Sequence, residues 1–394
     1  MAHFAVVDEL AATESVKSWR VLHACETASA IAAVAELQAD SGMQPKLLAR
    51  QYWHDNPDHR LSLLTAWNDV RDWRHALNEA EALSNIQLLH AHSFASAMAG
   101  VRGTLPVIYD FYFPLEEIAE QQAHNNPWLL RSFRVAEQFA LSHASAVVVH
   151  TGPMGAVAQQ RGAQEKNIFV VPQPFETAIL AADLEWAASY DISVDRGLIV
   201  FATMDRSSPE AALRAFASLL ADVPQAVLLL EQDLSHSAKV KQLADELEVE
   251  RLVRIVPPSQ AKQAIACADL VIISAFYSDE SSPLMLTAMA ASKPIVAADS
   301  PENRDCSPDG RGCVWYRSGN ALDLEHRLSF VARNDDFRRA LGQAARDHIR
   351  HTRGPKAIAR QYDEVYRHAF SRRAEGSPRI PMPRLYSLGN QETV

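Results

Sequence analysis

The chain has little cysteine, four residues in 394, and none of Cys25, Cys267, Cys306 and Cys313 belongs to a CxxC pair. That scatter excludes a cysteine-held zinc site and a disulfide framework, and it fits a reducing compartment. No apolar run reaches the ~18 residues that a membrane span needs. The amino terminus, MAHFAVVDELAATESVKSWR, lacks the basic start and apolar stretch of a secretory leader. A cytoplasmic protein is the expectation, with peripheral membrane contact left open. Positive charge is also short: 38 Lys and Arg stand against 48 Asp and Glu, for a formal net charge of -10. Neither nucleic acid nor anionic lipid attracts such a chain at long range, so nucleic acid is excluded as a general partner. There is no short internal repeat, and the sequence sets no oligomeric state.

What the chain does have is alternation. Short β-rich apolar runs are separated by longer patterns with apolar residues at three- and four-residue spacing, the sequence form of repeated βα units. One set comprises WRVLHAC from Trp19, PKLLAR from Pro45, IQLLHAH from Ile86, PVIYDF from Pro106, AVVVH from Ala146 and IFVVP from Ile168. Helical patterns at Ala28 to Ala39 and Trp128 to Leu141 lie among them. The second set, after a polar helical stretch around Leu180 to Tyr190, reads GLIVFATM, AVLLLEQ, LVRIVP, DLVIIS, PIVAAD and GCVWY. Two of its helices open on Ser-Pro, at Ser208-Pro209 and Ser282-Pro283, an N-cap followed by a proline in the first turn. The fold class is α/β with two doubly wound domains, and the default ligand site is at the strands' carboxyl ends, in a cleft between facing sheets. The expected division is residues 1–173 and 174–355, a helix at 356–373 crossing back to the first domain, and a proline-rich, disordered tail at 374–394.

The most informative run is YSDESSPLMLTAMAASKPIVAADSPENRD, from Tyr277 to Asp305. It resembles the donor-site signature of glycosyltransferase family 4, in which an acidic strand end and a small-residue turn lead into a Glu-Ala-Met-Ala helix and a Gly-Lys-Pro strand entry. HAHSF at His90 to Phe94 and VVPQPFE resemble two further family segments, and the likeness runs from about Trp19 to Phe370. It implies the GT-B fold: a nucleotide-sugar donor domain following an acceptor-side domain. It also implies glycosyl transfer, with retention, from a nucleotide diphosphate sugar to a carbohydrate or lipid-linked acceptor, in surface polysaccharide or glycoconjugate synthesis. The co-substrate is the sugar nucleotide; no separate cofactor and no metal is implied. Helix amino termini would hold the phosphates and support the charge that grows on them.

Carried onto this chain, the resemblance gives Asp279, Glu280 and His92 as catalytic candidates. Donor contacts fall to Thr203, Met204, Asp205, Arg206, Ser281, Ser282, Pro283 and Thr287, and acceptor contacts to Glu26, Thr27 and Asp110. The departures also fall here. Ala202 and Thr203 replace a Gly-Arg, Ser208 stands near the usual Lys, and Thr287 replaces the second glutamate. Arg206 or Arg304 could supply the missing cation. CETASA, from Cys25, has no glycine in the first turn, and Phe111 or Tyr112 occupies the place of a histidine. These losses keep open an alternative, a catalytically inactive GT-B partner, scaffold or carbohydrate-binding protein. A GT-B epimerase ranks last, because the sequence shows no carboxylates and histidine gathered in one place.

Each candidate also has a plainer reading. Asp279-Glu280 suits a helix dipole, and Ser281-Ser282-Pro283 is a cap. His90 and His92, with no Cys, Asp or Glu at ligand spacing, read as hydrogen-bonded structural histidines and not as a metal site. Trp53, Trp67 and Trp73 read as packing anchors, and Arg131 and Arg134 as a solvated helix face.

Overall fold

A computed structural model describes residues 4–7, 19–25, 34–35, 38–40, 42–50, 63–83, 85–117, 127–175, 181–192, 197–203, 210–232, 237–274 and 283–373. The chain divides into two compact units, one running to Gln173 and resuming at Pro355, the other spanning Pro174–Gly354.

The first unit is built on a seven-stranded sheet in the order β1-β3-β2-β4-β5-β6-β7. The strands are β1 (Phe4–Val7), β2 (Arg20–Cys25), β3 (Gln44–Arg50), β4 (Leu88–Ala91), β5 (Val107–Asp110), β6 (Ala146–Val149) and β7 (Ile168–Val170). All pairings are parallel except β1 on β3. Six of these strands match the apolar runs read from the sequence; β1 does not. An antiparallel edge strand needs no crossover helix, so Phe4–Val7 carries none of the βα alternation that reveals the others. The inner strands are buried on both faces, which is why they read as largely apolar runs, LLHA, VIYD and AVVV.

Two layers cover this sheet. On one face the helices Leu63–Leu83, Phe94–Gly100 and Pro127–His143 pack a core that includes Leu22, Trp73, Leu77, Met98 and Leu141. Trp73 is fully enclosed and Trp67 packs against the same core, as anchors would; Trp53 is outside the described residues. On the other face the helix Pro355–Arg373 lays Ile358, Tyr362, Val365, Tyr366 and Ala369 over Val21, Leu88, Ile108, Ala146 and Val148. Each fully buried Val, Leu or Ile among them contributes about 1.5–3 kcal/mol. Trp19 Nε1 fastens this helix by donating to Asp363 Oδ1 at 2.7 Å.

The second unit is a six-stranded parallel sheet in the order β10-β9-β8-β11-β12-β13. Its strands are β8 (Ile199–Ala202), β9 (Val227–Glu231), β10 (Val253–Val256), β11 (Leu270–Ile273), β12 (Ile295–Asp299) and β13 (Cys313–Arg317). One face packs under Glu210–Leu219 and Ala321–Arg333, the other under Ala261–Cys267, Pro283–Ala290 and Asp335–Thr352. Pro283 opens its helix as the Ser-Pro reading expects, while Ser208, Pro209 and Ser282 lie outside the described residues. Strand order reverses between β2 and β4 in the first sheet and between β8 and β11 in the second. These are the switch points at which open α/β sheets bind ligands. All four cysteines are buried, and no helix among the described residues is long and apolar enough to cross a membrane.

Candidate active site

At the first switch point, one face of the sheet changes character along its strands. Side chains two residues apart share a face, so Val21 is followed by His23, Leu88 by His90 and His92, Ile108 by Asp110, and Val148 by His150. The apolar half of each series lies under the last helix; the ionisable half collects at the carboxyl ends. Register completes the arrangement: His23 pairs with His90, and β4 on β5 sets Ala91 opposite Tyr109, which brings His92 level with Asp110. Ser93 fixes the chain just past His92, accepting from Ser96 N–H at 3.3 Å while its own N–H donates to Ser96 Oγ at 3.2 Å. Thr151 does the same beyond His150, accepting from Met154 N–H at 3.3 Å.

The cluster is a connected polar network. Asp110, 2% exposed, places Oδ2 2.9 Å from His92 Nδ1 and Oδ1 3.0 Å from His150 Nε2. His150 Nδ1 donates to the Val171 carbonyl at 2.8 Å. His92 Nε2 lies 3.0 Å from His23 Nδ1, and His23 Nε2 lies 2.8 Å from Gln38 Oε1. Gln38 Nε2 donates to the Tyr366 hydroxyl at 2.7 Å, which is also 2.9 Å from His90 Nδ1. Burial, then the neighbouring His92, pushes His23 down to about 3, and burial holds His90 well below its ordinary value. Both rings are therefore neutral. Burial alone would raise the Asp110 carboxyl, but His150 and His92 together hold it well below the carboxylate range.

His90 and His92 are hydrogen-bonded, as read from the sequence, and they belong to a larger cluster of ionisable side chains. The partners come from other strands, so no sequence spacing records them. Among the described residues one carboxylate, Asp110, is gathered with these histidines, fewer than the epimerase reading requires. His23 and His150 escape a motif search entirely; the signal that marks them is an ionisable residue at the carboxyl end of an otherwise apolar strand. Of Phe111 and Tyr112, Phe111 is buried in the core. Tyr112 lies against the His150 ring at 4.5 Å between centroids, with its hydroxyl proton held more tightly by burial and by Asp110. Glu26 and Thr27 are outside the described residues.

At the second switch point the strand ends are clamped. Thr203, fully buried, accepts from Ser274 N–H at 2.8 Å through Oγ1, and the Ser274 hydroxyl donates to the Thr203 carbonyl at 2.8 Å. Asn303 Nδ2 donates to the carbonyls of Ser274 and Ala298 at 3.2 and 3.0 Å. Thr287 is 2% exposed and donates its hydroxyl proton to the Pro283 carbonyl at 2.8 Å. That bond satisfies a carbonyl in its own helix and leaves only lone pairs for a ligand. Arg304, one of two candidates for the missing cation, holds Asp299 through two bonds of 2.7 and 2.9 Å and lies 4.4 Å over the Trp315 ring. Its charge is spent locally. Met204, Asp205, Arg206, Asp279, Glu280, Ser281 and Ser282 lie outside the described residues.

Two doubly wound α/β units, each with its switch point at the strands' carboxyl ends, define a GT-B protein. Residues 26–174 match the model of the glycosyl transferase 4-like domain, and residues 197–348 match that of glycosyl transferases group 1. The chain belongs to this glycosyltransferase family, and its activity is glycosyl transfer from a nucleotide sugar. Similar solved structures include a glycosyltransferase from Rickettsia africae, with 14% identity, TM-score 0.60, and 90% of this chain and 99% of that chain covered. Sucrose-phosphate synthase from Thermosynechococcus elongatus has 14% identity and TM-score 0.58, covering 90% and 100%. The Anabaena HepE protein, solved with UDP, has 13% identity and TM-score 0.58, covering 88% and 99%. No curated protein matches the chain at the sequence level.

Proposed function

We propose that the enzyme binds the nucleoside diphosphate of its donor at the carboxyl end of the second sheet and transfers the sugar, with retention, to a carbohydrate or lipid-linked acceptor. The observation that carries the donor assignment is the clamped switch point. Thr203 and Ser274 end the two strands between which the order reverses, and the chain after β11 enters a helix at Pro283. A helix start there presents free N–H groups and a positive dipole end to phosphate. The Anabaena neighbour, solved with UDP and with UDP-glucose, supports a nucleoside diphosphate at such a site. With Thr203 in place of an arginine and Arg304 engaged by Asp299, backbone N–H groups carry most of the phosphate binding, and no metal ion is assigned to the diphosphate. The acceptor is assigned to the first unit, beside His92 and Asp110. A role in surface polysaccharide or glycoconjugate assembly is the corresponding expectation, with the protein at or near the membrane surface.

Isothermal titration with UDP, GDP and ADP and their sugar conjugates tests the donor assignment. Micromolar binding of one series, lost on replacing both Asp279 and Glu280 by Ala, is the expected result. Absence of binding by every nucleotide at millimolar concentration would overturn it and favour the non-catalytic alternative. Anomeric configuration of the product, read by NMR, tests retention.

A further inference from the structure

Each of three histidines at the first switch point has one ring nitrogen held by an outlying oxygen. His23 Nε2 has Gln38 Oε1 at 2.8 Å, His90 Nδ1 has the Tyr366 hydroxyl at 2.9 Å, and His92 Nδ1 has Asp110 Oδ2 at 2.9 Å. Their remaining nitrogens make no hydrogen bond to oxygen, and His90 Nε2 lies 3.8 Å from Asp110 Oδ2. His23 Nδ1 and His92 Nε2 face one another at 3.0 Å, and His90 Nε2 is buried without a hydrogen-bond partner. One ring nitrogen from each of the three lies within 4.8 Å of the others.

Hydrogen bonds to Asp110 Oδ2 and Gln38 Oε1 place N–H at His92 Nδ1 and His23 Nε2. With N–H at those two positions, His23 Nδ1 and His92 Nε2 turn lone pairs toward each other across 3.0 Å, where a bound cation can be shared. A hydrogen bond between that pair would still leave His90 Nε2 without a hydrogen-bond partner. A metal ion answers for all three. Oxygen partners on the outer nitrogens are what metal-bound imidazoles require, since they fix tautomer and ring orientation. Tetrahedral zinc with bonds of about 2.0–2.1 Å sets its nitrogens roughly 3.3 Å apart, so the 3.0 Å pair need open only slightly.

We propose that His23, His90 and His92 form a three-imidazole site for a divalent ion of zinc-like character, with Asp110, Gln38 and Tyr366 orienting the ligands. The ion ties β2 to β4 where the strand order reverses and keeps a fourth coordination position for a small oxygen ligand. Because the site belongs to the first unit, it is independent of whether the donor diphosphate needs a metal.

The test uses the full-length protein with a histidine-free purification tag, stripped by chelator and titrated with Co²⁺. Expected are one Co²⁺ per chain, visible ligand-field absorption of a four-coordinate nitrogen site, and displacement by Zn²⁺. Asp110→Asn should weaken binding about 10–100-fold. Replacing His23 by Asn together with His90 by Gln should abolish binding, whereas His150→Gln, in the same cluster but outside the three, should keep it. Failure of the folded wild type to take up one Co²⁺, or full retention by the double variant, overturns the proposal. Should the double variant not fold, X-ray absorption of the cobalt-loaded wild type decides: three imidazole nitrogens support the site, and an oxygen shell refutes it.

Discussion

His92 Nδ1 stands 2.9 Å from Asp110 Oδ2, a contact between adjacent strands whose relative register leaves no freedom to shift by one residue. In a parallel sheet such a slip would turn every side chain to the opposite face. The pair is therefore a direct reporter of the first sheet. Asp110→Asn keeps the shape but removes the charge that holds both His92 and His150. It should lower unfolding free energy by about 2 kcal/mol, the scale of hydrogen bonds to a charged group, measured as a shift of the urea midpoint at unchanged slope.

Glu137 gives the pH dependence of the same unit. Its side chain is buried and accepts from Leu115 N–H at 2.8 Å. Burial lifts its carboxyl to about 7. The folded value exceeds the unfolded one, so the folded state holds the proton more tightly. The associated stability is complete below pH ~4.5 and is lost as pH rises through ~7, a change on the order of 3 kcal/mol. Glu231 in the second unit, also lifted to about 7 by burial, contributes with the same sign. Glu137→Gln should be more stable than wild type at pH 8 and should narrow the difference in Tm between pH 5 and pH 8.

Thr203→Val tests the clamp in the donor unit. Valine keeps the volume but leaves the Ser274 N–H without its acceptor, and an unsatisfied buried donor costs about 1–3 kcal/mol. Thr203→Ser should restore most of that loss. Guanidinium unfolding of the three proteins would show it, and nucleotide titration of the same three would show whether the clamp also shapes the phosphate site.

Gly312 sits just before β13 with a φ of +79°, and a Cβ built there would approach the Ala345 backbone to 2.2 Å. Gly312→Ala combines an unfavourable backbone region with a clash against helix main chain that cannot yield. A loss of at least about 2 kcal/mol is expected, seen as a lowered Tm for the donor unit.

Much of the fold can be read directly from residue patterns, because strands buried on both faces are forced to be apolar and the helices between them amphipathic. Phe4–Val7 is the exception, since an antiparallel edge strand stands outside the alternation. The candidate site was legible only where its residues are close in sequence. His92 is found through His-Ala-His and Thr287 through the Ala-Met-Ala-Ala helix. His23 and His150 join His92 only through strand register, 69 and 58 positions away in the chain. Thr203 and Thr287 could be located but not interpreted from sequence, because whether a hydroxyl is free or bound to a neighbouring backbone group is a matter of geometry. Asp279, Glu280 and the turn through Arg206 lie outside the described residues and stand on the resemblance alone.

The helix Pro355–Arg373 closes the first unit although the whole of the second unit precedes it in the chain. On the ribosome this inverts the usual order of assembly. Residues 174–354 are contiguous and can fold as soon as they emerge, whereas the earlier-made sheet must wait, its Val21, Leu88, Ile108 and Val148 face uncovered, until the last twenty or so residues of its core are translated. For that interval the nascent protein presents an apolar surface that chaperones would have to shield, and a ribosome stalled anywhere before Pro355 releases a chain whose older half has no means of finishing.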